Sequence, residues 1–149
     1  MSLQEKVMAE MKAAMKAKDS TKLEALRAVK SAILLANTES SSKNGLSEDE
    51  ELKLLQKLVK QRKESAAIYK EQGRADLAEP EEKQAEVIES FLPEQMSEAE
   101  IEARVDEVIA KTGASGMQDM GKVMGTVTGE IAGRADGKTI SSIVKRKLS

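Results

Sequence analysis

The segment Gly133-Arg134-Ala135-Asp136-Gly137-Lys138-Thr139 ends in the Gly-Lys-Thr of a phosphate-cradling loop. Such a loop needs four residues between its glycines and a strand in front of it. Only three residues separate Gly133 from Gly137, and the chain before them has helical periodicity. The P-loop reading is rejected. What remains is a cationic turn leading into a helix, whose first free amides suit a phosphate. Arg134, Gly137 and Lys138 stand at that turn, Lys145, Arg146 and Lys147 follow it, and Lys122 precedes it. Phosphate contacts need such cations and give salt-dependent affinity. The alternative is a solvated final helix whose cations complement its C-terminal dipole. The aromatic residues, Tyr69 and Phe91, lie outside this region. Base-stacking platforms for single strands are thus missing, and structured RNA read by shape and backbone fits better.

Covalent catalysis has little to work with. The 149 residues include no cysteine and no histidine, so the thiolate nucleophile and the commonest general base and metal ligand are absent. Ser40-Ser41-Ser42 with Lys43 could form a Ser–Lys pairing. The polar stretch Asn37–Asn44 reads as a mobile loop, and catalytic groups need tight positioning. The acidic run Glu48–Glu51 reads as a helix start that complements the dipole, not as a cation site. No catalytic residue, metal or cofactor is expected. The longest apolar run, Ala32–Ala36, is too short to span a bilayer, and the N-terminus is amphipathic and charged. No membrane partner is expected, and a cytoplasmic location is the default.

Helices must position these groups. Leu3, Val7, Met8, Met11 and Met15 form an apolar stripe over residues 3–18. Asp19 and Ser20 break it and cap a helix over about 21–37, which buries Leu23, Leu26, Val29 and Ile33. Ser47/Glu50 is a capping box opening a long helix over about 48–72, with Gly73 at its C-terminal cap. Its Lys60–Lys63 cluster either pairs with nearby acids or meets RNA. Asp76 caps a helix over about 77–91 with Leu77, Val87, Ile88 and Phe91 inward, and Leu92-Pro93 ends it. Ser97/Glu100 opens a helix to about residue 112, burying Ile101, Val105, Val108 and Ile109. Ser115/Gln118 reads as a third box, before a helix with Met117, Met120, Val123, Met124, Val127 and Ile131 inward. Asp136 caps a final helix over about 138–148 that buries Ile140, Ile143, Val144 and Leu148. No alternation long enough for a strand is present. The pattern predicts an all-α protein: a helical domain over 1–93 with about four helices, and a three-helix domain over 94–149.

Charge is uneven. Residues 1–40 are net +2, residues 41–110 net −8 and residues 111–149 net +4. The basic end could meet an anion that the acidic middle would repel. Gly121, Gly125 and Gly129 recur every four residues and make one bare helix face, for which packing against a neighbouring helix is the expected cause.

Several motifs together resemble the YqeY family, small bacterial proteins related to the tail of the GatB subunit of tRNA-dependent amidotransferase. In the first half these are Leu26-Arg27 with Lys30-Ser31-Ala32-Ile33, Arg62-Lys63-Glu64-Ser65 with Tyr69, Gly73-Arg74 and Asp76–Glu79. Leu92-Pro93 with Gln95 and Ser97 marks the junction. In the second half they are Thr112–Ser115, Met120–Met124 and Gly133–Lys138. The resemblance implies an all-α fold with a GatB-tail-like C-terminal domain that contacts tRNA or a tRNA–enzyme complex. It also brings a family-level label of carbon–nitrogen ligase with glutamine as amide donor. Gly125 and Gly129 stand where larger residues are usual in the family, and Leu34-Leu35 where polar ones are common. An exposed Leu34/Leu35 patch supports a second reading, a protein–protein adaptor without RNA binding.

Overall fold

The structure is a computed structural model that describes residues 2–39 and 45–149. The protein is all-α: seven α-helices and one 3-10 turn lie among the described residues, with no strand. The chain divides into two compact units, Met1–Leu92 and Pro93–Ser149.

The first unit holds α1 (Leu3–Ala17), α2 (Ser20–Glu39), α3 (Glu48–Glu71) and α4 (Ala75–Glu89). Helix α1 packs on α2, and α4 packs against both α2 and α3. Two helix starts carry complete capping boxes, Ser2/Glu5 on α1 and Ser47/Glu50 on α3. Each hydroxyl takes an amide of the first turn while the glutamate takes the cap's own amide. The Ser2/Glu5 box has the same Ser-x-x-Glu signature and escaped the sequence reading. Helix α3 ends in a Schellman turn. The Arg74 amide bonds the Tyr69 carbonyl at 2.7 Å and the Gly73 amide bonds that of Lys70 at 3.1 Å. That closure needs a left-handed residue, and Gly73 supplies φ = +73° without a side-chain penalty.

Val7, Leu26, Val29, Ile33, Leu55 and Ile88 form the centre of this core. Several expected apolar positions face outward instead. Met8, Met15 and Leu77 are exposed, while Ala14 and Ala78 take the inward places beside them. Val7 and Ala14, like Ala78 and Ala85, stand seven apart and share one buried helix face, and this phase turns Met8, Met15 and Leu77 outward. Asp76 is not the cap of α4. The helix starts at Ala75, and Arg74 grips the Asp76 carboxylate through Nε at 3.1 Å and Nη2 at 3.0 Å. Of the loop expected over Asn37–Asn44, Asn37–Glu39 extend α2. Ser40, Ser41, Ser42 and Lys43 lie outside the described residues. On α3, Lys63 reaches Glu89 at 3.3 Å, and Arg62 Nε donates to Gln84 Oε1 at 3.1 Å. Two members of the Lys60–Lys63 cluster are thus bound within the unit.

The second unit holds α5 (Glu98–Thr112), a 3-10 turn (Met117–Asp119), α6 (Met120–Glu130) and α7 (Gly137–Leu148). Each of the three helices packs on the other two. Their core is Ile101, Val105, Val108, Val123, Val127, Ile131, Ile140, Ile143, Val144 and Leu148. Ser97/Glu100 caps α5 as expected. The third expected box does not form. The Asp119 carboxylate takes the Ser115 amide at 2.9 Å, a 3-10 turn follows Gly116, and α6 starts only at Met120. Met117 is exposed as a result.

The glycine face of α6 also departs from expectation. An added Cβ at Gly121, Gly125 or Gly129 would meet nothing within 4 Å. The face is open to solvent, so close packing is not its cause. A mid-helix glycine with free space should yield to alanine at a gain in stability. Gly125→Ala is expected to raise the unfolding free energy by about 0.5–1 kcal/mol in a urea melt. A loss of stability would show that another group approaches this face after all.

Candidate nucleic-acid interface

The cations of the second unit fall into three groups according to what holds them. Arg134 belongs to a stitched turn. Gly133 adopts φ = +77°, a left-handed geometry that only glycine enters without strain. Its carbonyl accepts from Gln95 Nε2 at 2.8 Å, and the same amide group also reaches the Pro93 carbonyl at 2.8 Å. Arg134 Nε donates to the Glu94 carbonyl at 3.0 Å, while the Arg134 carbonyl accepts the Met96 amide at 2.9 Å. Arg134 therefore fastens the segment entering α5 to the turn entering α7.

Arg146 and Lys147 form the second group. The apolar stripe of α7 turns both toward α5. Arg146 Nη2 meets Glu102 Oε2 at 3.2 Å. Lys147 Nζ meets Glu102 Oε1 at 2.8 Å and Asp106 Oδ1 at 3.3 Å. The hydrogen bond from Lys147, reinforced by the charges of Lys147 and Arg146, holds the Glu102 carboxyl below the usual glutamate range. Hydrogen bonds to Glu102 and then Asp106 raise the Lys147 ammonium above the usual lysine range. Glu102 and Asp106 were not singled out in the sequence. Their signal was available, since they stand four apart on α5 and border the stripe Ile101, Val105, Val108.

Lys122, Lys138 and Lys145 form the third group. All three are exposed and make no ion pair among the described residues. Lys138 and Lys145 are seven apart, so they lie on one face of α7, opposite its buried stripe. Lys122 stands on α6 beside the open glycine face. Asp136 occupies the cap position of α7 in extended geometry but its side chain makes no capping bond. Gly137 begins the helix, with open space around its Cα. A shallow groove of about 380 Å³ is lined by Glu98 of α5 and by Lys138, Thr139, Ser142, Ile143 and Arg146 of α7. No group of three or more carboxylates that could hold a metal ion occurs among the described residues.

A family model described as "Yqey-like protein" matches residues 4–148. The chain belongs to that family. It is also similar to a subunit of the glutamyl-tRNA(Gln) amidotransferase of Thermococcus gammatolerans, with 40% identity over 73 residues. That match covers 46% of this chain and only 12% of that relative. The YqeY chain thus spans a small fraction of this relative's length. Both findings support the expected relation to the amidotransferase tail. No described helix is long and apolar enough to cross a membrane.

The ion cluster has a pH signature. A carboxyl depressed in the folded state adds stability above its unfolded pKa and loses it as pH falls through the folded value. The second unit should therefore weaken on acidification through the range where Glu102 titrates. Carboxyl-detected NMR titration should find Glu102 below an ordinary glutamate, and Lys147→Met should move it upward. An unmoved Glu102 would remove Lys147 as the main cause.

Proposed function

We propose that this YqeY protein is a tRNA-contacting accessory chain, binding tRNA or a tRNA–enzyme complex through its second unit. One observation carries the reading. Of the cations expected to meet RNA, Lys138 and Lys145 share an exposed face of α7 with no carboxylate bound to either, and Lys122 is equally unpaired among the described residues. Lysines held ready in this way can exchange counterions for phosphates without first breaking an internal pair. Similarity to part of an amidotransferase named for glutamyl-tRNA(Gln) supports the same direction. We read the chain as cytoplasmic and as supplying binding, with any amide transfer carried out by other chains. The absence of cysteine and histidine supports that division of labour against the ligase label.

The pairing pattern ranks the mutations. Filter binding of bulk tRNA should be clear at ~50 mM salt and weaken steeply as salt rises. Lys138→Ala with Lys145→Ala should weaken binding to all tRNAs alike and flatten the log–log salt slope by about 1–2. Lys147→Ala should act mainly on the stability of the second unit. No binding at low salt, or an unchanged slope in the double variant, would overturn the reading.

The adaptor alternative draws on a separate observation: Leu34 and Leu35 are 50% and 60% exposed on α2. Two adjacent leucines in solvent make a small apolar patch of the kind that marks partner sites. A stable protein partner that is lost with Leu34→Ser and Leu35→Ser, and carries no RNA, would favour it.

A further inference from the structure

The groove between the start of α5 and the adjoining flank of α7 contains chemistry that a bare phosphate site would not. Lys138 and Arg146 stand along one wall, separated by about 12 Å of helix rise. Thr139 and Ser142 add two hydroxyls between them. Helical Ser and Thr hydroxyls often bond back to the preceding turn. Thr126 does so to the Lys122 carbonyl at 3.0 Å, and Thr112 to that of Val108 at 2.8 Å. The hydroxyls of Thr139 and Ser142 make no such bond, and neither has another partner among the described residues. Arg146 gives Nη2 to Glu102, which leaves other guanidinium donors for a ligand.

Glu98 lines the same groove. It is the first residue of α5, and its carboxylate makes no hydrogen bond or ion pair among the described residues. An ionised carboxylate only accepts hydrogen bonds, and it repels a phosphate. A ligand that uses the whole groove must bring a hydrogen-bond donor beside its anion. A ribonucleotide does this with its 2′-hydroxyl, the group by which proteins tell RNA from DNA.

We propose that this groove is a ribonucleotide subsite, in which Lys138 and Arg146, with Thr139 and Ser142 between them, hold successive backbone phosphates while Glu98 accepts from a ribose 2′-hydroxyl. The inference rests on the RNA reading above and adds a residue that selects ribose. Lysines alone would bind any polyanion. Glu98 makes the same face discriminate.

The test uses the full chain and two fluorescent stem–loop probes of one sequence, one RNA and one with every 2′-hydroxyl methylated. Both keep A-form shape and all phosphates, but the second has no donor for Glu98. The native chain should bind the RNA about three- to tenfold more tightly, the range of one net hydrogen bond. Glu98→Ala should bring the two probes within about twofold of each other. Thr139→Val with Ser142→Ala should weaken both probes alike. Thermal midpoints of each variant confirm that α5 and α7 remain folded. Equal binding of the two probes by the native chain, or an RNA preference that survives Glu98→Ala, would overturn the subsite and leave the RNA reading standing. Binding of neither probe would overturn both.

Discussion

Burial of Ile140, Ile143, Val144 and Leu148 decides what the rest of the second unit can do. These four side chains are the contribution of α7 to a core shared with α5 and α6. Fully burying an aliphatic side chain contributes about 1.5–3 kcal/mol. An exposed ion pair contributes far less, so the apolar stripe sets the rotation of α7 and the charges follow. That rotation brings Lys147 and Arg146 over Glu102, and leaves Lys138 and Lys145 outside. Each cation's role is therefore a consequence of which neighbouring positions are apolar. The turn before α7 obeys the same constraint, since Gly133 and Arg134 are tied to residues 93–96 just before α5.

Folding also changes the meaning of charge. The stretch after residue 110 is basic, yet the unit from Pro93 to Ser149 has eight basic and nine acidic side chains. Helix α7 carries four cations and no acid, whereas α5 carries five acids and two cations. A polyanion approaching this unit meets no overall positive field. It meets a local cationic face, and local faces act within a Debye length of about 8–10 Å. Such a surface suits contact set by register with a larger assembly better than long-range capture. Glu98 and Glu102 are then more than neutralising charge. Glu102 anchors Arg146, and Glu98 stands at the groove without a partner among the described residues.

The fold was largely legible because its signals are local. Ser47/Glu50 and Ser97/Glu100 are read within four residues and form as expected. The stripe Ile140, Ile143, Val144, Leu148 is read within one helix and is buried in full. Errors arose where a nearby competitor decided the outcome. Asp119 takes the Ser115 amide and displaces the box expected with Gln118. Ala14 and Ala78 take inward positions that hydrophobicity alone assigned to Met15 and Leu77. The cations were found, but their division was hidden, because Arg146 and Lys147 find their partners some forty residues upstream. The open glycine face of α6 departs from expectation for a related reason: spacing shows that a helix face is bare, not what lies opposite.

Helix α7 presents Lys138 and Lys145 outward, while Arg146 and Lys147 pair with α5 inside the unit. Amide shift mapping of the labelled chain during tRNA titration tests this division most directly. Salt-sensitive changes should concentrate on Glu98, Lys138, Thr139, Ser142, Lys145 and Arg146, with Glu102 and Asp106 keeping their shifts because their ion pairs stay closed. Changes centred on the first unit, or an opening of the Glu102–Lys147 pair as tRNA binds, would contradict the account.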